Sequence, residues 1–152
     1  MEPIPKRKYI RLPPASYADP AHVFSITIDT PHRARLFARS DLNDAIVAEL
    51  KALAREKCCP IKIYCLMPSH LHLLISPGRV SVIRWVALFK QRTQHLAINR
   101  GIPHLWQRSF FDHRLRSQES EICQCNYIRM NPVRAGLVAH PDNWPWIGSV
   151  LW

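Results

Sequence analysis

The sequence predicts an α+β fold of the ferredoxin-like, split βαβ type: an antiparallel sheet with two helices on one face and a C-terminal helix on the other. Three observations carry that expectation. Alternating apolar runs and runs of helical period follow one another in the order β-α-β-β-α-β. Two amphipathic helices are enough to cover one face of such a sheet. A further helix-forming stretch follows the last strand and is left for the opposite face.

Each element has a local reason. Pro13, Pro14 and Pro20 make residues 12–21 an irregular lead-in. Residues 22–30 alternate, with Val23, Ser25 and Thr27 on one side and Phe24, Ile26 and Ile28 on the other, and read as the first strand. Ser40 is placed to cap a helix running to about Lys57. Leu42, Ile46, Leu50 and Leu53 recur at its period, and Asp41 and Asp44 suit its positive end. Residues 61–66 read as a second strand, and Met67-Pro68-Ser69 as a tight link into a third that stops at Pro77-Gly78.

A second amphipathic helix fits residues 81–99, with Val82, Val86, Phe89, Thr93 and Leu96 buried and Arg84, Lys90 and Arg92 outward. Residues 106–116 read as the last strand. Ser117 opens the final helix, Glu119 and Glu121 lie in its first turn, and Ile122, Cys125 and Ile128 form its apolar stripe. Trp144-Pro145-Trp146 is expected to staple the tail onto the domain. The expected organisation is a basic N-terminal arm, residues 1–21, and a single domain, residues 22–152.

Composition narrows the partners. The 152 residues carry 21 Lys plus Arg against 11 Asp plus Glu, a formal net charge of +10, and such an excess points to a polyanion. Between Arg79 and Arg116 stand eight basic residues and one acid, Asp112; Lys6, Arg7, Lys8 and Arg11 add four cations near the start. No run of 18 apolar residues argues for a membrane span. The opening residues lack the apolar core of a signal peptide, so the expected location is the cytoplasm, with the five cysteines reduced.

The chemistry concentrates in two segments. In Met67-Pro68-Ser69-His70-Leu71-His72-Leu73-Leu74-Ile75, the histidines are two apart on a strand and share a face, about 6–7 Å apart along it. Two imidazoles so held are half of a divalent-metal site, or else hydrogen-bonded strand histidines facing solvent. In Asn126-Tyr127-Ile128-Arg129-Met130-Asn131-Pro132-Val133-Arg134-Ala135-Gly136, Tyr127 and Asn131 fall one helical turn apart. A phenol can act as a covalent nucleophile, and an amide oxygen is a hard ligand for Mg²⁺ or Mn²⁺. The bland alternatives are a packed tyrosine, and an asparagine capping a short turn that begins at Pro132 and closes at Gly136, because proline disfavours helical geometry in the residue before it.

The pattern H-x-H after M-P-x, then W-Q-R-S-F-F-D-H-R-L-R, then Y-I-R-M-N-P-V-R-A-G-L-V resembles the single-tyrosine HUH transposases, and among them the REP-associated tyrosine transposases and their insertion-sequence relatives. The three motifs stand in the family's order between about Tyr9 and Trp146. The resemblance implies a metal-dependent single-strand DNA endonuclease and strand-transferase acting on hairpins of palindromic repeats through a 5′-phosphotyrosine. It implies Tyr127 as nucleophile and His70, His72 and Asn131 as ligands of Mg²⁺ or Mn²⁺; insertion-sequence relatives commonly carry glutamine where Asn131 stands. Insertion-sequence members work as dimers with the tyrosine supplied in trans, REP-associated ones as monomers, so a homodimer stays open.

Expected DNA contacts are Lys6, Arg7, Lys8, Arg11, Lys90, Arg92, Arg108 and Arg114. His95, His104 and His113 are expected outside the site, and at least two of Trp106, Phe110 and Phe111 in the core. Two other functions fit the same residues. One is a domesticated, non-cutting single-stranded nucleic-acid binder; the other is a phosphohydrolase of small molecules, which suits the charge distribution poorly.

Overall fold

The computed structural model describes residues 12–152. Five strands, β1 (Val23–Asp29), β2 (Ile61–Met67), β3 (His70–Ile75), β4 (Phe111–Leu115) and β5 (Ile147–Val150), form one antiparallel sheet in the order β4-β1-β3-β2-β5. Helices α1 (Ser40–Glu56) and α2 (Val82–Ile98) cover one face, and α3 (Gln118–Arg129) packs on the other, followed by the short α4 (Asn131–Arg134). The first four strands and three long helices are the ferredoxin-like arrangement the periodicity predicts.

Strand alternation sorts the apolar residues into two cores. Phe24, Ile26 and Ile28 of β1 and Leu71, Leu73 and Ile75 of β3 meet Leu42, Ile46, Leu50 and Leu53 of α1 and Trp85 and Phe89 of α2, all fully buried. A smaller core on the other face joins Val23, Ile63, Cys65, Met67, Leu74 and Leu115 to Ile128 of α3. β2 serves both faces through a register shift between Ile61 and Ile63, so that Ile61, Tyr64 and Leu66 face one core and Ile63, Cys65 and Met67 the other. Lys62, at that irregularity, pairs with Glu121 of α3.

Several local expectations change. β4 begins at Phe111, not near Trp106. Leu105, Trp106 and Phe110 still pack against the main core, and the segment keeps one link to β1, Gln107 N–H donating to the Asp29 carbonyl at 2.8 Å, while side chains of α2 take other backbone groups. Lys90 Nζ donates to the carbonyls of Gln107 (2.8 Å) and Ser109 (2.9 Å), and Gln94 Oε1 accepts from the Leu105 N–H at 2.8 Å. Lys90 therefore lies over this loop and does not point outward. α1 starts at Ser40 with no side-chain cap, whereas Ser81 and Ser117 cap α2 and α3 by accepting from Arg84 N and Ser120 N. Ile122 is exposed, leaving α3 to bury Ile128 and part of Cys125.

β5 is a finding of the structure. Tyr64 of β2 faces Gly148, where a Cβ would come within 2.7 Å of the Tyr64 hydroxyl. Just before β5, Trp144 Nε1 donates to the Leu66 carbonyl (3.0 Å) and Trp146 Nε1 to Asp44 Oδ1 (2.9 Å). The two indoles meet edge to face, centroids 5.3 Å apart, and fasten the tail to Leu66 of β2 and Asp44 of α1, the staple expected of them. All five cysteines are free thiols. Among the described residues, no helix is long and apolar enough to cross a membrane.

Candidate active site

The site lies on the α3 face of the sheet, where β3 is flanked by β1 and β2. His72 sits between Thr27 and Cys65, and His70 between Asp29 and Met67. Parity does the placing: Leu71 and Leu73 must enter the main core, so His70 and His72 point the other way. The two-residue link Pro68-Ser69 is held by its carbonyls, Ser69 O accepting from Thr30 N and Oγ1 (both 3.0 Å) and Pro68 O from Phe37 N (3.0 Å). The imidazoles stand with ring centroids 4.6 Å apart and planes at 80°.

Each ring is oriented through Nδ1, His72 against Thr27 Oγ1 (3.0 Å) and His70 against Ser69 Oγ (3.1 Å). With Nδ1 carrying the proton, Nε2 of each ring is a free lone pair, the arrangement metal-ligating histidines use. Both are kept neutral. Burial pushes His70 below its ordinary value, with the Asp29 charge opposing and Arg33 assisting. Burial lowers His72 furthest, to about 3, with the neighbouring His70, Arg134 and Arg33 adding to the effect. Cys65, beside His72 in the sheet, is pushed up to about 12 by burial and stays a thiol.

α3 supplies the phenol. It is seated by Ile128 in the smaller core and by Gln124 Nε2, which donates to Ser25 Oγ of β1 at 3.1 Å. Tyr127, 54% exposed, is presented to solvent. The guanidinium of Arg134 lies over its ring, 3.7 Å from the centroid, and Nη2 donates to the Tyr127 carbonyl at 2.6 Å. α3 ends at Arg129, and Asn131 begins α4, which Gly136 closes at φ 73°. The expected closure at Gly136 holds, but Asn131 does not cap the turn: it is the first helical residue of α4, Met130 stands at the N-cap position, and no side chain caps it. Asn131 Oδ1 accepts from Arg134 at 3.4 Å, while its Nδ2 is buried without a hydrogen-bond partner.

Arg134 therefore touches both Tyr127 and Asn131, and its charge is felt at His72, which links the two segments. Among the described residues, no three His, Cys, Asp or Glu side chains form a ready-made metal cluster.

The expected DNA contacts disperse. Lys6, Arg7, Lys8 and Arg11 lie outside the described residues. Lys90 and Arg92 belong to α2, on the far side of the sheet from the histidines. Arg92 is engaged by Glu49 (3.3 Å) and Glu56 (2.8 Å) and holds the Glu56 carboxyl down to about 2. Arg114 is paired across the sheet with Phe24 on that same side, its Nε buried without a hydrogen bond. Arg108 is exposed in the loop before β4. His95 and His104 are exposed on α2 and in the loop after it, whereas His113, also exposed, lies opposite Ser25 and so projects on the same sheet face as the pair, with β1 between them; Trp106 and Phe110 join the core, and Phe111 is half exposed.

Residues 21–131 match the model of the family described as "Transposase IS200 like". The chain belongs to that family. Among curated relatives of these transposases, it is 28% identical over 94 residues to the REP-associated tyrosine transposase of Escherichia coli (strain K12), covering 60% of this chain and 54% of the relative. It is 30% identical over 95 residues to the putative REP-associated tyrosine transposase of Haemophilus influenzae (strain ATCC 51907 / DSM 11121 / KW20 / Rd), covering 54% of each. The chain thus spans about half the length of the curated relatives it matches. In fold it is similar to a REP-associated tyrosine transposase solved bound to a REP hairpin, with TM-score 0.69, 20% identity, and coverage of 86% of this chain and 78% of that one. A putative transposase from Deinococcus radiodurans R1 is also similar, with TM-score 0.50, 18% identity and coverage of 70% and 87%.

Three residues of the site, Asp29, Arg33 and Arg134, were not expected from the sequence. For Asp29 a signal existed: it has the same parity as Thr27 and so belongs to the histidine face. Arg33 ends a three-residue 3-10 turn and Arg134 ends the four-residue α4, segments too short for periodicity to say where a side chain points.

Proposed function

We propose that this transposase-family chain is a metal-dependent single-strand DNA endonuclease and strand-transferase that acts on hairpins of palindromic repeats. The observation that carries it is the solvent-facing phenol of Tyr127 on a helix packed against the sheet face that bears the neutral pair His70 and His72. Family membership and the hairpin bound by a fold neighbour support DNA as the substrate.

The residues present fit a divalent cation. His70 and His72 would hold it through Nε2, and Asn131 through its amide oxygen; a half-turn about χ2 presents that oxygen to the buried side where Nδ2 lacks a partner. Bound Mg²⁺ or Mn²⁺ supplies charge neutralisation and orientation of the scissile phosphate. The chain's own residues do the rest. The Tyr127 hydroxyl attacks phosphorus, its proton passing to water. The new phenol–phosphorus bond replaces the bond to the 3′ oxygen, which takes a proton from water and leaves as a free 3′-hydroxyl. The protein then carries a 5′-phosphotyrosine, and because ester replaces ester, a 3′-hydroxyl can reverse the step and rejoin strands without ATP.

Arg134, over the phenol ring, holds Tyr127 and the start of α4 together and adds positive charge where the phosphate arrives. Exposed Arg108 and the basic arm, Lys6, Arg7, Lys8 and Arg11, are proposed as backbone contacts. Lys90, Arg92 and Arg114 contribute less, being held on the opposite side of the sheet. Packing of α3 on its own chain's histidine face supports a tyrosine acting in cis.

The test is a labelled palindromic hairpin incubated with protein and Mn²⁺ and resolved on a denaturing gel. The expected result is a covalent protein–DNA band that is lost in EDTA and in Tyr127→Phe, while Tyr127→Phe still binds the hairpin. An adduct that survives Tyr127→Phe overturns the nucleophile. Hairpin binding with no adduct from the wild type would favour the non-cutting binder.

A further inference from the structure

The donor set proposed for the cation, two imidazoles and an amide, carries no negative charge. Mg²⁺ and Mn²⁺ are hard cations that bind most readily where carboxylate oxygen is at hand. Here two arginines, Arg33 and Arg134, put positive charge beside His72. Such a set should hold a dication weakly.

One carboxylate stands where it could correct this. Asp29 is the cross-strand partner of His70 and shares the parity of Thr27, so it projects on the histidine face. It is 4% exposed. Its two oxygens have unlike surroundings. Oδ2 is 3.7 Å from Arg33 Nε, whereas Oδ1 is buried with no hydrogen-bond partner. An unsatisfied buried carboxylate oxygen is costly and calls for a missing partner. The segment that follows is unusual too: His32 and Arg33 both adopt left-handed backbone angles (φ 54° and 52°) although neither is glycine. That conformation brings the mostly exposed Arg33 side chain back to a buried acid four residues earlier. His70 senses the Asp29 charge, so the two groups are electrostatically coupled.

We propose that Asp29 is the anionic partner of the metal site, with its free Oδ1 accepting a hydrogen bond from a water on the cation and its charge offsetting that of Arg33. Asp29 does not form a three-residue ligand cluster with the histidines, and its proposed role is therefore through a water and not as a direct ligand. Arg33 then opposes metal loading, because it shares the carboxylate and repels the dication. The inference rests on the reading of His70 and His72 as metal ligands.

The experiment measures Mn²⁺ binding to the full chain without DNA, by electron paramagnetic resonance of free Mn²⁺. Asp29→Asn keeps shape and removes charge. Its Kd for Mn²⁺ is expected to rise by about 10- to 100-fold, as for other groups that hold metal-bound water or ligands. A rise below tenfold overturns the assignment. Arg33→Gln, at an exposed side chain, is expected to lower Kd at least threefold; an unchanged or higher value overturns the opposing role of the pair, and this variant decides if Asp29→Asn does not fold. His72→Ala separates the two readings. If His72→Ala abolishes binding and Asp29→Asn leaves it unchanged, only the Asp29 proposal fails. A wild type that takes up no Mn²⁺ defeats the metal reading and this one with it.

Discussion

His72 has to be neutral to donate a lone pair, and burial makes it so, helped by the adjoining His70 ring and by the charges of Arg134 and Arg33. A consequence follows for the metal-free chain. In the unfolded state this imidazole takes a proton below about pH 6.5; in the fold it does so only near pH 3. Between those values the unfolded state binds more protons, so stability is full above pH 6.5 and is lost as pH falls toward 3. The slope from one proton is at most about 1.4 kcal/mol per pH unit. Urea midpoints in EDTA at pH 7 and pH 5 should differ less in His72→Gln than in the wild type; equal differences would contradict the assignment. A second expectation concerns Arg134, which fixes the Tyr127 ring and the first residue of α4. Arg134→Ala should slow adduct formation by about tenfold or more, since small misplacements of reacting groups cost that much, while hairpin affinity falls less. Equal losses in both would make Arg134 a phosphate contact and nothing more. Much of this site was legible at the level of single residues, because strand parity alone puts His70 and His72 on one face. Asp29 obeyed the same rule and went unread, since the strand was recognised by its apolar alternation and an acid near its end adds nothing to that pattern.

At the scale of elements, the order β-α-β-β-α-β followed from period and punctuation, and the buried stripe of α1 emerges as expected. What periodicity missed has a common cause. β5 is four residues long, includes Gly148 and Ser149, and follows a proline, so its pairing with β2 is decided by tertiary contacts. Residues 105–110 look strand-like because their apolar side chains are buried, but apart from Gln107 N–H, which reaches Asp29 of β1, it is Lys90 and Gln94 of α2 that take the Leu105, Gln107 and Ser109 groups a neighbouring strand could have taken. Ile122 shows the converse limit: period tells which side of a helix is apolar, not how wide a face the sheet offers. The turn after β3 makes a testable case. A Cβ on Gly78 would lie 1.9 Å from the Cys58 carbonyl oxygen and 2.6 Å from that of Lys57, both backbone atoms that cannot swing aside. Gly78→Ala should cost about 1–3 kcal/mol of stability, the usual range for overpacking. An unchanged urea midpoint would mean that the α1–β2 turn is not pinned there.

The whole molecule carries a charge of +10, but the excess is not evenly available. Arg92, Arg100, Arg129 and Lys62 are paired with Glu49 and Glu56, Asp41, Asp142 and Glu121 respectively. Net charge thus points to a polyanion, while pairing decides which cations can meet it. Hairpin affinity should fall steeply with salt, and Arg108→Ala should reduce the slope of log K against log salt by about one. Arg92→Ala should leave that slope unchanged; if it lowers the slope as Arg108→Ala does, the helical layer belongs to the DNA-binding surface after all. The central claim is that Tyr127 and the histidine pair act together on one DNA strand. It is tested most directly by digesting the Mn²⁺-dependent adduct with trypsin and nuclease and weighing the peptides. The account predicts a 5′-phosphonucleotide on Tyr127, within the peptide that runs from residue 117 to 129, and none in samples kept in EDTA. A nucleotide carried by another peptide, or an adduct formed equally well without metal, would contradict it.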